Sequence, residues 1–133
     1  MSRKPLLLLA VLMPAPGVAQ PAPQSAPPPA ASFCGIDGAD VGAIHAKVAA
    51  DARFKRDGGD ATREVWSAES IQAILSFTTA KAPAHPAAIC QQVVDREGTL
   101  QIDREVRCQA RAAACAALTA ELDKADEGSG DEP

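Results

Sequence analysis

Three features of this sequence predict an α+β fold: an N-terminal helix, a three- or four-stranded antiparallel meander and a C-terminal alanine-rich helix, packed as a two-layer sandwich. Apolar residues recur at helical spacing between Val41 and Ala52, alternate at period two between Thr62 and Val106, and return to helical spacing after Gln109. A turn signal, Asp95-Arg96-Glu97-Gly98, divides the last alternating stretch and marks a hairpin.

Ahead of this domain, residues 1–19 have the three parts of a signal peptide. Arg3 and Lys4 give a positive start, Leu6 to Met13 an apolar run, and Gly17-Val18-Ala19 a small-x-small cleavage site before Gln20. The apolar run reaches only about 12 Å as a helix, against a hydrocarbon core of roughly 30 Å, and Pro14 and Pro16 follow at once, so no membrane span is expected to remain after cleavage. The first cysteine, Cys34, lies too far from the apolar run to be the acylated residue of a lipoprotein. Residues 20–32 are rich in proline and alanine and are expected to be an extended, disordered linker, a spacer rather than a docking motif.

The domain proper is expected over 33–125. Asp37 or Asp40 caps a helix whose apolar positions are Val41, Ile44, Val48 and Ala52, released near Asp57-Gly58-Gly59-Asp60. Thr62–Ser67 alternates around Val65 and Trp66, and Ser70–Thr79 puts Ile71, Ala73, Leu75 and Phe77 on one strand face. Ala87–Val94 and Thr99–Ile102, extending toward Val106, flank the hairpin glycine Gly98, whose positive φ closes the turn. Gln109–Ala125 is helical by its alanine content, with Cys115, Leu118 and Leu122 at i, i+3 and i+7. Residues 126–133, acidic and glycine-containing, are expected to be a disordered tail.

A domain of this size with only Trp66, Phe33, Phe54 and Phe77 as aromatics is short of core, and four cysteines in an oxidising compartment supply what it lacks as two disulfides. In one continuous helix Cys108 and Cys115 would stand about 10.5 Å apart along the axis, beyond the roughly 7 Å a bridge allows, and could not join. If the helix starts after Cys108, Cys108–Cys115 with Cys34–Cys90 becomes possible. No strong N-cap between Arg104 and Ala114 fixes that boundary, and the second arrangement is preferred.

Composition excludes several functions. Without the signal peptide the chain has 11 Lys and Arg against 17 Asp and Glu, a formal charge of −6, with no tyrosine and no basic stripe, so a nucleic-acid partner is not expected. No C-x-x-C pair exists, which removes thioredoxin-like exchange and the usual zinc spacings, and no metal or cofactor is expected. Gly35, Gly38 and Gly42 lack the dinucleotide spacing and a preceding strand. The carboxylates Asp95, Glu97, Asp103 and Glu105 sit among Arg96, Arg104 and Arg107 as a charge-balanced strand face does.

The loop with the most distinctive composition is 80–86, where Lys81, Pro83, His85 and Pro86 form a candidate binding loop and prolines hold His85 on a stiff arm. His85 is read in two ways: as a ligand-binding or catalytic imidazole, with Ser76, Thr78 or Thr79 as candidate hydroxyls, or as the cap of a backbone carbonyl, which is preferred. His45 is read as a surface or core-edge residue. The sequence thus favours a small periplasmic or secreted, non-catalytic interaction module, an accessory factor or inhibitor that contacts another envelope or extracellular protein. The alternative is a small hydrolase or ligand-binding protein centred on His85, and neither specificity nor oligomeric state follows from the residues.

The exported product is expected to begin at Gln20 and to gain about 4 Da on full reduction of two bridges. N-terminal sequencing and intact mass test this; a native chain that keeps Met1, or whose thiols are all free, contradicts it.

Overall fold

The computed structural model describes Gly17 and residues 32–129. The cleavage site and the proline-rich linker lie outside the described residues, apart from Gly17 and Ser32. Ser32–Phe33 (β1) and Ile36–Asp37 (β2) form a short antiparallel pair that precedes the first helix, so this helix does not open the domain as expected.

Helix α1, Val41–Ala50, begins where Asp40 accepts a hydrogen bond from the Ala43 amide at 2.7 Å, the side-chain cap that satisfies an otherwise orphaned N–H. Its buried stripe is Val41, Ile44 and Val48. The helix stops at Ala50, short of the expected Ala52, because Asp51 turns extended.

Five antiparallel strands follow in sheet order equal to chain order: β3 Lys55–Gly59, β4 Arg63–Ala68, β5 Ala73–Thr78, β6 Ala87–Arg96 and β7 Thr99–Cys108. The sequence predicts three or four. The strand it missed is β3, read as the loop that releases α1, because Lys-Arg-Asp-Gly-Gly has no apolar alternation: all its residues are exposed on a sheet edge. At the other end of the sheet, Glu97 (φ 56°) and Gly98 (φ 83°) close a two-residue turn between Arg96 and Thr99, with the Gly98 amide donating to Asp95 at 2.8 Å.

The two helices cover opposite faces of the sheet, so the layers number three and not two. Cross-strand partners share a face, and Leu75, Cys90, Phe77 and Ala88 pack with α1, β1, β2 and Phe54 on one side. Ala87, Ile89, Val106 and Cys108 pack with Leu118 and Leu122 on the other. Those leucines belong to α2, Ala112–Ser129, which starts later than the expected Gln109 and runs past Ala125 into the segment expected to be disordered. Arg104 pairs with Asp123 and Asp126, which draws that acidic stretch onto the sheet. No helix among the described residues is long and apolar enough to cross a membrane.

Each face carries one disulfide. Cys34–Cys90 ties the β1–β2 turn to the α1 side, with Cα atoms 6.1 Å apart, and Cys108–Cys115 ties the start of α2 to the end of β7 at 5.8 Å. The second is possible because the chain leaves the strand at Cys108 and enters the helix only at Ala112, the boundary the sequence left open. Among the described residues no cysteine is free.

The bridges span sequence separations of 56 and 7 residues. Loop-closure entropy then assigns about 4 kcal/mol to Cys34–Cys90 and about 2 kcal/mol to Cys108–Cys115. Urea denaturation of the paired cysteine-to-alanine variants should show the larger loss for the first pair; the reverse order would refute a mainly entropic role.

Candidate functional site

The Thr79–Pro86 segment is fixed from beneath by Thr78. Its buried hydroxyl accepts from the Ala87 amide at 2.8 Å and lies 3.0 Å from the Ala84 carbonyl, to which it donates. Thr79 holds the other side, its amide donating to the Thr62 carbonyl at 2.9 Å and its hydroxyl to the Ala61 carbonyl at 2.6 Å. The Gln109 amide donates to Pro86 at 2.9 Å, and the His85–Pro86 peptide is cis. A loop with so many backbone groups engaged is a rigid platform.

On this platform the His85 ring is exposed and its Nδ1 lies 2.8 Å from the Thr78 carbonyl oxygen. A carbonyl can only accept, so Nδ1 carries the proton, and in the neutral ring Nε2 keeps a free lone pair. The imidazole therefore does cap a backbone carbonyl, and one nitrogen is still available.

His85 also borders a concavity of about 230 Å³ shared with Val41 and His45 of α1, Glu64 of β4, Phe77 and Thr78 of β5, and Thr79. Of the candidate loop residues, Lys81 and Pro83 are exposed outside this cleft, and Pro83 lines a second hollow of about 190 Å³ against α2, beside Ala114 and Leu118. The loop is thus a ridge between two depressions, one facing each helix.

Inside the cleft, His45 Nε2 and Glu64 Oε2 are 2.9 Å apart, and the His45 ring meets Phe77 edge-on with centroids 4.7 Å apart. Glu64 is further neutralised by Arg56 at 3.2 Å. The hydrogen bond from His45 holds the Glu64 carboxyl below its ordinary range, with smaller help from the Trp66 indole and Arg56 and against the opposing effect of burial. Glu64 is then a fixed carboxylate that orients an imidazole, an arrangement that could serve as base and orienter only beside a nucleophile.

The nucleophile half is missing from the candidates named by sequence. The Thr78 and Thr79 hydroxyls are committed to backbone groups, and Ser76, whose cross-strand partners are Val65 and Ile89, belongs to the opposite face of the sheet. Among the described residues no group of three His, Cys, Asp or Glu is placed to hold a metal ion. The hairpin carboxylates and arginines are engaged structurally: Arg96 with Asp103, Glu105 with the Cys34 amide and Arg107 with the Gly38 carbonyl.

Sequence reasoning set His45 aside and gave Glu64 no role. The pair joins positions 19 residues apart on different elements, so no local motif announces it. The one available signal was that His45 follows the buried Ile44, on the flank of the helix stripe where side chains reach the rim of a packed face.

Because the Glu64 carboxyl is held low in the folded protein, its contribution to stability is complete above the unfolded value and disappears as pH falls through the folded one. Glu64→Gln should cost about 0.5 to 1 kcal/mol at neutral pH and flatten the decline of stability below about pH 4.5. Urea titrations between pH 3 and 6 read both effects, and identical slopes for the two proteins would rule the pairing out. The chain matches no protein-family model, no curated protein and no solved structure, so the reading of this site rests on its own chemistry.

Proposed function

We propose that this protein is an exported, non-catalytic binding module that engages another envelope or extracellular protein through the 80–86 ridge and the adjoining cleft of His45, Glu64 and His85. The observation that carries this reading is the state of the ridge: a loop pinned by Thr78 and Thr79 presents one histidine with a free acceptor nitrogen beside a preset carboxylate–imidazole pair, and both neighbouring hydroxyls are already used. Rigid, preorganised surfaces lower the entropic cost of association, whereas covalent catalysis needs an unengaged nucleophile next to the base. Two bridges, with no free thiol among the described residues, support an oxidising compartment.

A second reading, the binding of a small ligand in the cleft, is favoured by its concavity and by the apolar floor of Val41 and Phe77 beneath polar groups at the rim. The hydrolase version of that reading gains no such support from the hydroxyls.

A photoreactive amino acid at Lys81 should cross-link to a specific partner in the native compartment, and the same probe at Lys55, on the far edge of the sheet, should not. Adding His85→Ala should weaken the Lys81 adduct about threefold to tenfold, the loss of one well-placed hydrogen bond at an interface, with the circular dichroism spectrum unchanged. Equal adducts from both positions, or an adduct indifferent to His85, would defeat the proposal.

A further inference from the structure

The second hollow, about 190 Å³ on the α2 side of the 80–86 ridge, is apolar along both walls. Ala82, Pro83 and Ala84 come from the loop, and Ala114, Ala117 and Leu118 from α2. Its polar lining is Thr62, Arg63, Thr78 and Glu121. Both hydroxyl protons are already donated, that of Thr62 to Asp60 at 2.7 Å and that of Thr78 to the Ala84 carbonyl at 3.0 Å. Arg63 is therefore the one donor among these side chains that a ligand can still engage.

The state of Arg63 departs from that of the other enclosed arginines. Arg104, with a side chain 18% exposed, is bonded to Asp123 and Asp126, and the Arg107 guanidinium donates to the Gly38 carbonyl at 2.9 Å. Arg63, at 29%, makes no side-chain hydrogen bond among the described residues. Its carboxylate neighbour, Glu121 Oε1, is 3.7 Å away, beyond hydrogen-bond reach, on a side chain 70% exposed. An ion pair this long and this open contributes little, so Glu121 yields to a competing anion at little cost. A guanidinium offers five N–H donors in a planar fork that matches a carboxylate. Phosphate would bring a larger charge against Glu121 and gain nothing from walls of alanine, proline and leucine.

We propose that this hollow binds a carboxylate bearing a short apolar group, its charge held by Arg63 and its carbons lying against the loop and α2. At roughly 30 Å³ for each water-sized group, about six non-hydrogen groups fill the space, which suits a branched chain of about four carbons with its carboxylate at the Arg63 rim. Apolar walls and one cation are the usual division of labour in such a site, the walls supplying affinity and the polar group orientation. The same chemistry is offered by a free branched-chain acid and by a leucine-like residue at the C-terminus of another protein. The site uses neither His45, Glu64 nor His85, so it stands apart from the cleft on the α1 side of the ridge.

Titration of the full exported chain with isovalerate, N-acetyl-leucine and N-acetyl-leucinamide, followed by amide NMR, tests this. At least one of the two carboxylates should give saturable shifts at residues 82–84 and 114–118, and the uncharged leucinamide should bind at least about tenfold more weakly, the loss of a charge-assisted pair. Saturation by isovalerate alone identifies a free acid, by N-acetyl-leucine alone a chain terminus, and by both the shared chemistry. Arg63→Gln should weaken the carboxylate at least about tenfold, while Glu121→Gln, which removes the competing anion, should tighten it about twofold to fivefold. If Arg63→Gln does not fold, the comparison of acid with amide and the Glu121→Gln variant still decide. No saturation by either carboxylate, an amide that binds as well as the acid, full binding by Arg63→Gln or weaker binding by Glu121→Gln would each overturn the proposal.

Discussion

Four consecutive residues of β6, Ala87–Cys90, are buried, and the rest of the structure depends on that strand having both faces covered at once. Side chains alternate across a sheet, so consecutive burial requires a layer on each side. Ala88 and Cys90 meet the α1 layer, Ala87 and Ile89 the α2 layer, and the small size of three of the four lets both layers come close. The α2 layer is thin in large side chains while the α1 layer holds Phe33, Phe54 and Phe77, and each is fastened by its own disulfide, one reaching β6 at Cys90 and the other leaving β7 at Cys108.

The same arrangement makes the candidate site. The 79–86 connection must cross the end of the sheet between the two helices, and Thr78, at the end of β5, is buried beneath it. Its hydroxyl satisfies an amide and a carbonyl that would otherwise be orphaned, which is why the loop is held. His85 takes its orientation from the Thr78 carbonyl, and His45 takes its orientation from Glu64 across the α1–β4 boundary. The two imidazoles are thus oriented from separate supports, one by a backbone carbonyl and the other by a carboxylate.

The hairpin glycine, the alternation in β4 and β5 and the leucines of α2 were legible because each is a local pattern with its own period. The cleft was half legible. Proline spacing marked the loop and its histidine, while the His45–Glu64 contact joins a helix to a strand and leaves no trace in either neighbourhood. Strand β3 escaped notice for a related reason: an exposed edge strand held by backbone hydrogen bonds to β4 needs no apolar alternation.

By itself the sequence determined the α+β class, the approximate positions of α1, of strands β4 to β7 and of α2, and the short hairpin, since these follow from propensity, capping and turn chemistry within a few residues. Tertiary structure alone decided that the helices take opposite faces and that Glu64 meets His45, and it settled the open boundary in favour of the preferred pairing, with Cys108 just outside α2 and joined to Cys115. Those outcomes are set by which apolar surfaces are buried together, and that is a property of the assembled chain: the stripe of α1 and the leucines of α2 are equally apolar in sequence, and only the two-sided burial of β6 sends them to different layers.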